Sequence, residues 1–90
     1  MVILLLISPE FLYCSFCRNQ INRARELWEN KEALVIPIKL RPVDDKGEWF
    51  SRLKSLPSNN RPVTKWKNYD EAFLDIVQSV RKAIHKINNK

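Results

Sequence analysis

Hydrophobic and polar positions follow three rhythms along this chain. The first is an unbroken apolar run, Val2-Ile3-Leu4-Leu5-Leu6-Ile7. It is too short for a buried helix and suits a strand covered on both faces, as in a parallel sheet. Ser8-Pro9-Glu10 ends it with the signature of a helix start: a capping hydroxyl, a proline for the first position and an acid at the positive end. The second rhythm is helical. Between Phe16 and Trp28 the apolar residues fall at Cys17, Ile21, Ala24, Leu27 and Trp28, with Arg18, Arg23, Arg25 and Glu29 mostly on the other face. Asn30-Lys31-Glu32 reads as the turn that follows, and Ala33 to Leu40 as a second buried strand. Pro37 inside that strand has to lie where no ladder N–H is needed.

The third rhythm is mixed. Arg41 to Gly47 is a loop by its turn residues, and Trp49, Phe50 and Leu53 suggest a short helical turn over Glu48–Leu53. Pro57-Ser58-Asn59-Asn60 is a further turn, and Pro62-Val63-Thr64 offers a short third strand. Asn68-x-x-Glu71 is a variant capping box. Behind it Ala72, Phe73, Ile76, Val77, Val80, Ala83, Ile84 and Ile87 keep a clean helical period. The order of strand, helix, strand, short helix, strand and long helix predicts a single α/β domain over residues 1–90, with three parallel strands and flanking helices.

With 90 residues, one small domain is the most the chain can form. Gly47 is its only glycine, which excludes Gly-rich phosphate cradles. Net charge is +6, which permits attraction to nucleic acid without establishing it. The basic run Arg52, Lys54, Arg61, Lys65 and Lys67 reads as a solvated segment. Trp28, Trp49 and Trp66 fall at element ends, which favours core or rim packing over base stacking. Val2–Ile7 is too short to span a membrane and lacks a secretory n-region and cleavage site. With only Cys14 and Cys17 available, the expected compartment is the cytosol. Two cysteines and the distant His85 do not make a metal site. His85 belongs to a basic helix end with Arg81, Lys82, Lys86 and Lys90. Cys14-Ser15-Phe16-Cys17 opens a helix after a strand, where redox pairs sit, so a thiol–disulfide oxidoreductase is one reading. The other is two small buried hydrophobes at a helix start. Finally, a small sheet leaves an edge bare, and if Val2–Ile7 is that edge it is long and uncharged, which calls for an oligomer partner or for the rest of a larger α/β domain.

Several segments resemble the C-terminal half of a bacterial Toll/interleukin-1 receptor (TIR) domain. They are Leu4-Leu5-Leu6-Ile7-Ser8-Pro9-Glu10-Phe11-Leu12, Val35-Ile36-Pro37-Ile38-x-Leu40-Arg41-Pro42 and Leu53-Lys54-Ser55-Leu56-Pro57. Arg61-Pro62-Val63-Thr64-Lys65-Trp66 and Asp70-Glu71-Ala72-Phe73 complete the set, in the family's order. The resemblance runs from about residue 2 to residue 87. It implies a partial flavodoxin-like, three-layer fold holding the family's third to fifth strands. The first two strands have no counterpart, and Met1 is then expected to be an internal methionine of a longer reading frame. TIR domains serve as homotypic adaptors or cleave the nicotinamide–ribose bond of NAD+, which is a substrate rather than a cofactor. The resemblance puts one wall of that site on Ser8, Pro9, Phe11 and Phe16. Matching Asn22-Arg23-Ala24 to the family pattern sets Gln20 at the catalytic glutamate's position, and counting from Cys17 gives Ile21 instead. Neither supplies a carboxylate, and an amide carries no charge to stabilise departing nicotinamide. Glu10 and Glu26 do not match the motif. The expectation is a signalling or defence module without NAD+ cleavage as it stands. It would act through other TIR domains or by self-association through the Val2–Ile7 edge.

Overall fold

Strand β1 (Val2–Ile7) leads through helices α1 (Pro9–Tyr13) and α2 (Ser15–Glu29) to strand β2 (Leu34–Lys39) in a computed structural model that describes residues 1–88. Two 3-10 turns, Trp49–Arg52 and Val63–Lys65, then precede helix α3 (Tyr69–Asn88). Local chemistry sets each boundary. Ser8 Oγ accepts the Phe11 N–H at 3.2 Å, with Pro9 at the first helical position. α2 stops in a Schellman motif: the Glu32 N–H reaches the Leu27 carbonyl at 2.8 Å and the Lys31 N–H the Trp28 carbonyl at 3.1 Å. Lys31 is left-handed there, with φ of 60°. Asn68 Oδ1 caps α3 by accepting from the N–H groups of Asp70 at 2.8 Å and Glu71 at 3.3 Å.

The strands pair in parallel, Val2 opposite Leu34 through Ile7 opposite Lys39. Each face of the sheet carries a core. Leu5, Ile7 and Val35 join Leu12, Ile21, Ala24 and Phe50 on the α2 face. Ile36 and Ile38 join Leu56, Val63, Ala72 and Ile76 on the α3 face. The expectation of a strand covered on both faces holds for β2 and fails for β1. Leu4 and Leu6, opposite Ile36 and Ile38, remain 44% and 49% exposed on the α3 face. The reason lies in where α3 sits. Its Asp75 carboxylate accepts from Ser58 N–H and Oγ, both at 2.7 Å, holding that side of the helix toward the outer edge of β2. The opposite flank carries Phe73, Val77 and Ile84, all exposed.

Backbone alternation settles which edges are open. The Leu34 N–H bonds the Met1 carbonyl at 2.9 Å and the Leu40 N–H the Ile7 carbonyl at 3.0 Å. In a parallel ladder alternate residues face alternate neighbours, so the backbone groups of Val2, Leu4 and Leu6 face away from β2. Among the described residues no strand lies beyond them.

Pro62–Thr64 is not the third strand expected. Val63–Lys65 is a 3-10 turn, closed by the Lys65 N–H on the Pro62 carbonyl at 2.8 Å. Val63 is apolar because it plugs the second core, not because it pairs. What lies beside β2 is Leu56, in a single parallel bridge with Ile38. The Leu56 N–H meets the Pro37 carbonyl at 2.8 Å, and the Lys39 N–H meets the Leu56 carbonyl at 2.7 Å. Pro37 thus turns its missing N–H toward this outer edge, where the ladder is interrupted anyway. Two strands, not three, make the described sheet.

Candidate functional site

The residues expected to form a ligand wall gather at the carboxyl ends of the strands, in different states. Ser8 is committed to capping α1, and Pro9 occupies that helix's first position. Phe11 packs against the first core. Phe16 is 69% exposed, and Gln20, one turn further along α2, is also exposed. Ala24, a further turn on, is buried. The other register, Ile21, lands on a fully buried core residue at 0% exposure and can meet no ligand.

Two ion pairs brace this end of the sheet, and local sequence patterns gave no sign of either. Arg18 holds both oxygens of Glu48, at 2.8 and 2.5 Å, and its Nε donates to the Leu12 carbonyl at 2.9 Å. One residue of α2 thereby ties α1 to the loop beyond β2. Glu10, in the first turn of α1, pairs with Arg41 just past β2. The Arg18 guanidinium holds the Glu48 carboxyl below its usual pKa. For Glu10 the backbone N–H at the start of α1 lowers it most, with Arg41 adding to the effect. Both carboxylates stay ionised at neutral pH and engaged by arginine, so neither is poised as a general acid.

Cys14 and Cys17 are not the buried pair anticipated. Cys14 is exposed and Cys17 half-buried. Cys14 sits at the N-cap of α2, where its thiol makes no capping hydrogen bond. Even so, the Cys17 backbone N–H, then the Cys17 thiol, lower its pKa, while Cys17 is pushed up chiefly by the Cys14 sulfur. These contacts favour the thiolate of Cys14 over that of Cys17.

The tryptophans pack as expected. Trp28 and Trp49 rings lie 5.4 Å apart against the first core, and Phe50 meets Trp49 edge-on at 5.7 Å. Trp66 packs on the second core, with its Nε1 donating to the Arg61 carbonyl at 3.0 Å. Arg52, Lys54, Arg61, Lys65 and Lys67 are exposed, as a solvated segment requires. His85 is exposed near the end of α3, and Lys90, expected beside it, lies outside the described residues. Among the described residues no three His, Cys, Asp or Glu side chains cluster as metal ligands. Among the described residues no helix is long and apolar enough to cross a membrane.

Comparison with known proteins places one relative beside this chain. It is an uncharacterized protein of Sinorhizobium fredii, y4lF, 38% identical over 87 residues. The match takes in 96% of this chain and 27% of the relative, so the chain spans about a quarter of the relative's length. No protein-family model matches the chain. No solved structure matches it either.

Proposed function

We propose that this chain is the C-terminal half of a TIR-type signalling or defence module, with a flavodoxin-like sheet completed through the free edge of β1. The observation that carries the reading is that edge: among the described residues nothing pairs with the backbone groups of Val2, Leu4 and Leu6, and Leu4 and Leu6 present half-exposed apolar side chains. The five motifs in family order support it, and so does a relative in which this stretch is 27% of the chain.

Topology gives the edge a meaning. The connection from β1 to β2 runs through α2 on one face, and crossovers of this kind are right-handed. A strand added beside β1 whose following helix covers Leu4, Leu6 and the Phe73–Val77 flank lies on the α3 face. Its chain must therefore wind away from β1. The winding direction reverses at that strand pair, and open α/β sheets bind ligands beyond the strands' carboxyl ends at such a reversal. Ser8, Pro9, Phe16 and Gln20 stand at that end of β1 as one wall. The opposite wall belongs to the added strand. With Gln20 in place of a glutamate and one wall alone, the chain acts through protein contacts rather than by cleaving NAD+.

The test is nicotinamide release from NAD+. The chain alone and its Gln20→Glu variant release none. Fusion behind the first two strand–helix units of an NAD+-cleaving bacterial TIR domain, combined with Gln20→Glu, restores release, whereas the fusion retaining Gln20 stays inactive. Release by the unmodified chain contradicts the reading. A second reading, a thiol–disulfide oxidoreductase, is favoured by one observation, the exposed Cys14 with its lowered pKa at the start of α2. Insulin reduction that is lost in Cys14→Ser supports that reading over the first.

A further inference from the structure

Among the described residues, the outer edge of β2 is paired only where Leu56 bridges Ile38. Toward the amino end of the strand no described residue continues the ladder, and the C-terminal half of α3 lines the gap. A cavity of about 650 Å³ results. Small-molecule sites are typically about 300–1,000 Å³. Its floor is apolar, built from Trp28, Leu34, Leu53, Leu56, Ala83 and Ile87. Its rim is basic: Lys82 and Lys86 from α3, and Lys54 from the segment facing it. Among the described residues no carboxylate lines the cavity. Nor does any of these lysines belong to an ion pair among the described residues, where the acids that pair are Glu10, Glu26, Glu29 and Glu48.

That combination has a specific chemical reading. Lys82 and Lys86 are four residues apart, about 6 Å along one helix face, so their ammonium groups can converge on one anion. Their alkyl stems and that of Lys54 extend along the apolar floor and leave the charges at its mouth. Three like charges around a low-dielectric floor raise the local concentration of anions. We propose that this cavity is a binding site for a small amphiphile with one anionic head and an apolar body, held head-outward by Lys54, Lys82 and Lys86. It lies beside the amino end of β2, on the opposite strand edge from β1, and does not depend on the TIR-type reading.

Octanoate is the probe, with octanol as the neutral body and acetate as the bare head, titrated by calorimetry and by backbone amide shifts. Octanoate is expected to bind, shifting the amides of Leu34, Leu56 and Ala83, and to weaken as salt rises from about 50 to 500 mM. Octanol should bind about tenfold or more weakly, and acetate should not saturate. The Lys82→Glu/Lys86→Glu variant should lose about tenfold or more for octanoate and nothing for octanol. Near-UV circular dichroism of this variant establishes that its packing is kept. Equal binding of octanol and octanoate overturns the proposal, because the lysines then contribute nothing. So does octanoate binding that is unchanged in the double variant, or no saturable binding up to about 10 mM.

Discussion

Replacing Leu4 and Leu6 together by lysine should leave the fold in place and abolish self-association of the chain. Both side chains are about half exposed, at 44% and 49%, so each still has nearly half of its surface to bury against a partner. Full burial of a leucine is worth about 1.5–3 kcal/mol, so covering the remainder contributes about 1 kcal/mol per residue. A two-fold interface uses both residues from both copies. Their sum is about 4 kcal/mol, or about a thousandfold in the dissociation constant. Lysine on an exposed edge also opposes strand pairing directly. The cost to folding is small by comparison, because Leu5 and Ile7 fill the first core while Leu4 and Leu6 do not. Sedimentation velocity at micromolar concentration reads the association, and thermal unfolding reads the fold. The wild-type chain should associate, and the double variant should run as a folded monomer. An associated species of unchanged strength in the double variant would refute the argument, since another surface would then hold the copies together.

Other consequences follow from single contacts. Lys31→Gly removes a side chain from a left-handed position with φ of 60° and should stabilise the chain by about 0.5–1 kcal/mol, read as a raised Tm. Arg18→Ala breaks the paired bonds to Glu48 and the bond to the Leu12 carbonyl, and should cost about 1–2 kcal/mol. Because Glu48 is held below its ordinary value of 4.5, its contribution is full above that value and lost as pH falls through the lowered one. The gap in stability between wild type and Arg18→Ala should therefore close at acid pH in denaturant titrations. Iodoacetamide should modify Cys14 before Cys17, with the rate rising at a pH below the usual thiol value of 9.0. Mass spectrometry of partial digests reads the order, and equal rates would contradict the asymmetry.

Much of the fold is legible in local pattern because its boundaries are set by residues near in sequence. Ser8 caps α1 three residues on, Asn68 caps α3 in the same way, and α3 shows its period over five turns. Pro37 announced a position where no ladder N–H is needed, and it turns toward the outer edge of β2, where Leu56 bonds only its carbonyl. What failed is what depends on long-range packing. Val63 is apolar like a strand residue, yet its role is to fill a hole beneath α3, which no window around residue 63 can reveal. The uniform run Val2–Ile7 hides that one of its faces is covered and the other is not, since leucine serves both. At the candidate site, the resemblance named Ser8, Pro9, Phe11, Phe16 and Gln20; the first three fall at α1, with Phe11 turned to the core, and the last two in the first turns of α2. Arg18 and Glu48 lie 30 residues apart and match no local signature, so their pairing emerges only from the fold.

Amide hydrogen exchange along β1 tests the central claim most directly, that the free edge of this strand is where a further TIR-type strand pairs. In the chain held monomeric by dilution, the Val2, Leu4 and Leu6 amides should exchange much faster than those of Ile3, Leu5 and Ile7, which face β2. In the fusion to the N-terminal half of a bacterial TIR domain, all six should be protected alike. Continued fast exchange at Leu4 and Leu6 in the folded fusion would contradict the claim, because the edge would then remain open with its proposed partner present.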